Sequence, residues 1–339
     1  MTKQSKLQGD PLNRARSLAE RIDDPPGLRN LRELGCQLTC RSTDQKIYWP
    51  SPIFSRLALD LPDWLKWLPT LDKLRKSCGV SIVEPETLPG QPSSENLRSG
   101  ADRALDDGLS IQPLFVDEPI RFEPLMHAEQ IELQFIPSAM QSTHSAVASS
   151  YSPERWAPTL PSDLTDIEKM SKRIDLIRSS SDQSTVVVGG AIPAGRIYED
   201  VRFLVDCGVD YVCVLSHVVA GVTPPKTWTF QPIDYVIEQA LGAIEKSGAR
   251  GVALLVCSPI ENVQDALRLL ASGVDAFSID SWLIAQNANA PSSNKSSDDF
   301  GAFMGSYARQ ATVTANDGLV AAAESLLQDL NALRRIYEI

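Results

Sequence analysis

The stretch AGRIYEDVRFLVDCGVDYVCVLS, residues 194–216, decides the fold. Apolar residues at helical spacing predict a helix from Ile197 to Asp206, and Gly208 stands just beyond the end of that helix. The short apolar run from Tyr211 to Leu215 predicts a strand that is buried on both faces. A helix that leads directly into such a strand is typical of a parallel sheet covered by helices.

The same alternation of helix and strand continues on both sides of this stretch. The sequence predicts helices over 164–178, 233–246, 263–270 and 319–336, and strands over 185–188, 252–256 and 276–279. Strict alternation fits a (β/α)₈ barrel, and it fits an open, doubly wound sheet equally well. The pattern alone leaves both architectures open.

Composition and charge exclude several classes of protein. The chain has 339 residues and a formal net charge of −11, without a sustained Lys or Arg stripe, so a nucleic-acid partner is not expected. No apolar run approaches the roughly 18 residues that span a bilayer, and the polar start MTKQSKLQGD lacks an apolar signal core. We therefore expect a cytoplasmic protein that does not bind membranes.

Six cysteines are scattered along the chain, without a paired CxxC pattern. Cys36 and Cys40 are four residues apart, a spacing that would place both on one face of a helix. No further ligands are spaced nearby, so we interpret these thiols as packing residues and expect no metal site.

Two segments, GRIYEDVRFLVDCGVDYVCVLS and ALRLLASGVDAFSIDSWLIA, resemble the FMN-binding synthase barrel of the glutamate synthase family. Weaker similarity upstream involves SSENLRSGADRALDDGLSI, which is similar to the first barrel helix and second strand, and AEQIELQFIPSAMQ, which is similar to a later strand. The resemblance implies a (β/α)₈ TIM barrel over 78–286. An N-terminal helical extension, 1–77, would precede it, and a flexible linker, 287–299, and a C-terminal helical segment, 300–339, would follow.

The resemblance also implies where a cofactor would bind, and there the sequence departs from the family. The family holds the flavin phosphate on glycine-rich turns, which let backbone N–H groups approach the phosphate closely. In this chain only Gly221 remains in the first turn, Pro259 in the second turn has no N–H, and Asp280 introduces a carboxylate into the third. Gln134 stands where the family has a lysine, and the cysteines for an iron–sulfur cluster are missing.

Candidate site residues lie at predicted strand ends. The catalytic candidates are His217, as a general base or a structural histidine, and Gln134. The cofactor-binding candidates are Gly189, Gly190, Arg196, Gly221, Ser258 and Ser281. The pair Gly189-Gly190 fits either a ligand contact or a tight turn, and Arg196 is a candidate for binding an anion.

Two functional hypotheses follow from these departures. The first is a divergent glutamate-synthase-like barrel without glutamate synthase catalysis, which needs no cofactor and binds a small ligand or a protein partner. The alternative is an FMN-dependent oxidoreductase of the glutamate synthase family that acts in glutamate or amino-acid metabolism. An unrelated barrel lyase that binds a phosphorylated metabolite is a third reading. The sequence leaves open whether the chain is an enzyme.

Overall fold

The chain folds into a closed barrel of eight parallel strands with helices outside, as the (β/α)₈ hypothesis predicts. The computed structural model describes residues 35–57, 67–83, 108–116, 119–120, 122, 125–126, 128–135, 166–181, 186–216, 232–289 and 317–337. The strands are β1 (Cys36–Thr39), β2 (Lys46–Trp49), β3 (Ile53–Ser55), β4 (Ser81–Val83), β5 (Ser110–Phe115), β6 (Gln130–Gln134), β7 (Val187–Pro193), β8 (Tyr211–Leu215), β9 (Ala253–Cys257) and β10 (Ala276–Ser278). The helices are α1 (Leu68–Cys78), α2 (Ile167–Ser179), α3 (Ile197–Asp206), α4 (Ile233–Ser247), α5 (Val263–Ala271), α6 (Asp280–Asn289) and α7 (Asp317–Tyr337).

Strands β3 to β10 form the barrel in chain order, and β10 pairs with β3 to close it. At this closing seam Phe277 lies opposite Ile53, and Ser278 lies opposite Phe54. Because β10 completes a ring, the barrel has no open edge that could pair with another chain. The sheet is therefore closed, and the open doubly wound alternative is wrong.

Each barrel strand divides its side chains between two cores. On β8, for example, Tyr211 and Cys213 point into the barrel, whereas Val212 and Val214 pack against the surrounding helices. This alternation follows from the two-residue period of a strand. Since both faces are buried, strands such as β8 and β9 read as continuous apolar runs in the sequence.

A two-stranded hairpin, β1–β2, covers the amino end of the barrel. Cys40 Sγ lies 3.4 Å from the carbonyl oxygen of Val186, and the Arg41 N–H donates to Asp210 at 2.7 Å. Trp49 reaches inward and donates its indole N–H to Gln130 at 2.9 Å. The hairpin thus seals the end of the barrel opposite to the one that carries active sites in barrel enzymes.

The hairpin corrects the helical interpretation of Cys36 and Cys40. The segment from Cys36 to Cys40 alternates between buried and less buried residues, which is the pattern of a strand with one face on the core. Both cysteines are buried among apolar side chains, so their assignment as packing residues fits the structure.

Several predicted boundaries also differ from the structure. The first barrel strand is Ile53–Ser55 and its helix is Leu68–Cys78, so the barrel begins before residue 78 and within the proposed helical extension. Helix α6 extends to Asn289, into the predicted linker. Residues 1–34 and 290–316 lie outside the described residues. None of the described helices is long and apolar enough to cross a membrane.

The C-terminal helix α7, which the sequence predicts over 319–336, packs on the outside of the barrel. Its buried residues are Val320, Ala323, Leu326 and Leu330, which share one helix face and join the outer apolar core. The contacts are with α1, α5 and α6, close to the seam between the last and first strands. Helix α7 therefore covers the part of the barrel where the chain closes on itself.

Candidate functional site

The carboxyl ends of the barrel strands hold a buried group of polar side chains. On β6, Glu132 and Gln134 point into the barrel, while Ile131 and Leu133 point outward and pack with the outer core. Arg56 directly follows β3 and is 0% exposed. We call Arg56, Glu132 and Gln134 the Arg56 cluster.

The Arg56 cluster is joined by charge-assisted hydrogen bonds. The Nη1 atom of Arg56 donates to Glu132 Oε1 and forms a fully buried ion pair with it. The Nη2 atom of Arg56 donates to Gln134 Oε1 at 2.6 Å, and Gln134 Nε2 donates to Glu132 Oε1 at 2.8 Å. Since a buried charge is costly unless it is paired and hydrogen-bonded, these three side chains depend on one another.

Asp280 lies beside the cluster at the seam between β10 and β3. It accepts hydrogen bonds from Ser55 Oγ at 2.6 Å and from the Arg56 backbone N–H at 2.8 Å. Burial raises the pKa of the Asp280 carboxyl, and the bonds from Ser55, Arg56 and Ser278 only partly oppose that rise. The carboxyl therefore ties the end of the last strand to the end of the first.

The loop after β9 and the start of α6 contact each other directly. The Ser281 hydroxyl accepts the Ile260 N–H at 2.9 Å and donates to the Ser258 carbonyl oxygen at 3.4 Å. In many (β/α)₈ enzymes a phosphate sits where the loops after the seventh and eighth strands meet a helix N-terminus. Here β9 and β10 are those strands. The Ser281 hydroxyl accepts the Ile260 N–H, which is therefore not available to a phosphate.

The Cys257 thiol and the Tyr211 phenol in the barrel interior are not activated as nucleophiles. Cys213 Sγ and Cys257 Sγ are 3.9 Å apart and both thiols are buried. Burial raises the pKa of Cys257 well above its usual range, and burial together with the Glu132 carboxylate does the same for the pKa of Tyr211. A thiol acts as a nucleophile only as the thiolate, so Cys257 is not poised for covalent catalysis.

The structure brings together only some of the predicted site residues. Gln134 belongs to the Arg56 cluster, and Ser258 and Ser281 meet in the loop contact beside it. Gly189 and Gly190 lie inside strand β7 and form no turn. A Cβ at Gly189 would overlap the Tyr211 ring, and one at Gly190 would lie 2.8 Å from Leu204 Cδ1, so close packing accounts for both glycines.

Arg196 lies away from the Arg56 cluster, at the start of α3. It is exposed and lines a shallow cleft of about 390 Å³ between α3 and α4, together with Tyr198, Glu199, Tyr235 and Gln239. His217 and Gly221 lie outside the described residues. No group of three metal-ligating side chains occurs within the described part of the chain.

Sequence reasoning missed Arg56 and Glu132, the charged centre of the site. The signal for Glu132 was available, because Gln130, Glu132 and Gln134 alternate with Ile131 and Leu133 in a segment recognised as a strand. Arg56 follows a strand of only three residues, which is too short to produce a periodic pattern.

Comparisons with known proteins support the fold. No protein-family model and no curated protein matches the chain. A mandelate oxidase variant with the C4a-OH-FMN adduct superposes with a TM-score of 0.50 and 16% identity, over 97% of this chain and 88% of that chain. A protein described as a lactate oxidase from Pediococcus acidilactici gives 0.50 and 12%, over 97% and 82%. A flavocytochrome b2 variant with sulfite bound gives 0.50 and 13%, over 97% and 75%.

These three structures resemble this chain in fold, and one of them contains an FMN adduct. They support the barrel architecture and give no support to the glutamate synthase family. At such low identity the likeness concerns the fold, so the function has to be argued from the side chains at the carboxyl end of this barrel.

The described residues at that end do not fit an FMN phosphate. Pro259 offers no N–H, Ser281 occupies the N–H of Ile260, and the Asp280 carboxyl lies at the first turn of α6. An anion there would face a carboxyl group where phosphate sites usually present N–H donors. The only cation of the Arg56 cluster is already paired with Glu132.

Proposed function

We propose that this chain is a barrel that acts by binding a small ligand or a protein partner, without flavin redox chemistry. The observation that carries the proposal is the Ser281 hydroxyl, which bridges Ile260 and Ser258 where a barrel enzyme would hold a phosphate. The buried Asp280 beside it adds a group that repels an anion whenever it is ionised.

The charge balance of the site supports the same proposal. The Arg56 cluster and Asp280 together contain one guanidinium and two carboxyl groups, so they offer no excess positive charge to a phosphate or carboxylate substrate. Burial raises the pKa of the Cys257 thiol and of the Tyr211 phenol in the barrel interior, which favours their protonated forms. These features suit a stable scaffold better than a centre for proton or electron transfer.

An FMN-dependent oxidoreductase is the second candidate function. The specific observation in its favour is the superposition on an oxidase that holds an FMN adduct, over 97% of this chain. FMN would then need contacts other than those that the loops after β9 and β10 provide. A role in glutamate or amino-acid metabolism has no support beyond the sequence resemblance.

The experiment that separates the two candidates is a flavin titration of the full chain. The purified protein should be colourless, and FMN fluorescence should show a dissociation constant weaker than about 100 µM. A yellow protein with one flavin per chain, or submicromolar binding of added FMN, would establish the oxidoreductase instead. Bovine serum albumin at equal concentration controls for nonspecific quenching.

We also propose that the protein resides in the cytoplasm. All six cysteines are free and buried, which suits a reducing compartment such as the cytoplasm. Pull-down from a lysate of the source cells, followed by identification of bound proteins and extracted small molecules, would identify the partner class.

A further inference from the structure

The Arg56 side chain reaches across the inside of the barrel. Arg56 follows β3, whereas Glu132 and Gln134 belong to β6, and β4 and β5 lie between these strands in the ring. The backbone N–H of Arg56 is fixed by Asp280, so the side chain starts at the β10–β3 seam and ends on the opposite wall. The guanidinium therefore lies within the carboxyl half of the barrel interior.

This guanidinium fills the interior of the barrel and is not available to bind a ligand. Its side chain is 1% exposed and that of Glu132 is 0% exposed, so solvent does not reach the pair. Gln134 both accepts from Arg56 and donates to Glu132, which holds the two charges in one geometry. A ligand entering the barrel from this end would have to displace a buried and hydrogen-bonded ion pair.

We propose that Arg56 is a specificity-determining residue that fills the carboxyl end of the barrel and excludes planar aromatic ligands, the flavin ring system among them. This inference rests on the proposed non-flavin function. It depends on a different residue, because the Ser281 contact would exclude the flavin phosphate, whereas Arg56 would exclude the flavin ring. Removing the Arg56 side chain opens the space that it fills beside Glu132 and Gln134.

Riboflavin tests the ring site separately, because it has the flavin ring and no phosphate. The opened variant is Arg56→Ala/Glu132→Gln, which removes both charges and leaves neither one buried alone. A filled variant, Arg56→Met/Glu132→Leu, replaces the pair with apolar side chains of similar size. Arg178→Ala/Asp210→Asn disrupts another largely buried ion pair, at the amino end, and is the positional control.

The opened variant should bind riboflavin about tenfold tighter than the wild type, the filled variant and the positional control. FMN should bind the opened variant no tighter than riboflavin does, since the phosphate contacts stay closed. An opened variant that keeps its circular dichroism spectrum and gains no riboflavin binding would overturn the role of Arg56. A wild-type protein that binds FMN tightly would overturn the proposed function instead, so the two failures are distinguishable.

A measurement on the wild type keeps the proposal testable if the opened variant does not fold. In a ¹⁵N spectrum of the arginine side chains, the Arg56 guanidinium should exchange its protons slowly because it is buried and bonded to two side chains. Arg268, which pairs with Asp234 at the surface, is the fast-exchanging reference. Equal exchange rates for Arg56 and Arg268 would show that Arg56 does not fill the interior.

Discussion

Gly189 on β7 and Tyr211 on β8 are paired across neighbouring strands, and the tyrosine ring occupies the space where a side chain at 189 would lie. A Cβ built on Gly189 would be 2.1 Å from Tyr211 Cζ, far inside van der Waals contact. The ring is fully buried in the barrel and its hydroxyl donates to Glu132 at 3.5 Å. The glycine is therefore needed for packing beneath the Arg56 cluster.

We expect Gly189→Ala to lower the free energy of unfolding by about 3 kcal/mol, because the added methyl group overpacks the interior. The control is Gly242→Ala in helix α4, where a Cβ would meet no atom within 4 Å. That substitution should raise the free energy of unfolding by up to about 1 kcal/mol through helix propensity. Urea denaturation of both variants measures the difference, and equal stabilities would contradict the packing role of Gly189.

Asp210 should be among the most sensitive carboxylates of the amino end. It accepts the N–H groups of Arg41 and Val188 and the guanidinium of Arg178, so it connects the hairpin, β7 and α2. Asp210→Ala leaves Arg178 and two N–H groups without this acceptor and should cost about 3 to 5 kcal/mol.

The control for Asp210 is Asp234→Ala, which removes a surface carboxylate paired with Arg268. That loss should be at most about 1 kcal/mol, because exposed ion pairs contribute little. The two losses of stability are measured by urea denaturation. Comparable losses would show that the buried hydrogen bonds of Asp210 stabilise the fold no more than an exposed ion pair does.

Much of the fold could be predicted from sequence where the elements are long. The boundaries of α3 and β8 match the predicted ones, because helical spacing and an apolar run on both sheet faces leave little ambiguity. The hairpin was missed because Cys36 and Cys40 fit a helical spacing, although the intervening residues alternate as in a strand. A strand as short as Ile53–Ser55 has no period to detect, so the start of the barrel could not be located.

The candidate site could be predicted only in part. Asp280 was recognised as a departure from a phosphate site, because the change of residue type is visible in the sequence, whereas Ser281 was predicted to bind a cofactor. The pairing of Arg56 with Glu132 spans 76 positions and depends on barrel closure, which no local pattern reveals. Gly189 and Gly190 were interpreted as a ligand contact or a tight turn, whereas in the structure they make room for Tyr211 and Leu204.

The six thiols should react slowly in the native protein. All of them are buried, and burial raises the pKa of Cys78 and of Cys207 to about 12, assisted by nearby carboxylates. Thiols with so high a pKa contain little of the reactive thiolate near pH 8. A disulfide reagent should therefore label the cysteines together, at the rate of unfolding, and prior addition of urea should make all six react at once.

Rapid labelling of a single cysteine in the folded protein would contradict this expectation. Peptide mapping after a short reaction identifies which thiol has reacted. The charge of Glu324 contributes to the raised pKa of Cys78, so Glu324→Gln is the variant to compare. Because the thiols react only after unfolding, Glu324→Gln should change the labelling rates of Cys78 and Cys207 by the same factor, and a faster rate for Cys78 alone would show that this thiol reacts in the folded protein.

Asp280 should make the stability of the protein depend on acid pH. Burial raises the pKa of its carboxyl in the folded state above the ordinary value of 3.8, so the folded chain holds a proton that the unfolded chain has released. Between those two pKa values the folded state binds more protons, and the free energy of unfolding therefore falls as pH rises. The contribution is fully present below about pH 3.8 and is lost once pH exceeds the folded-state pKa.

The comparison with Asp280→Asn isolates this effect, because asparagine keeps the size of the side chain and does not titrate. The stability of the wild type relative to Asp280→Asn should decrease as pH rises through the window that begins near the ordinary pKa of 3.8. Urea denaturation at closely spaced pH values provides the measurement. A difference that instead grows with pH would mean that the bonds from Ser55 and Arg56 outweigh burial, so that Asp280 is held as a carboxylate in the folded barrel.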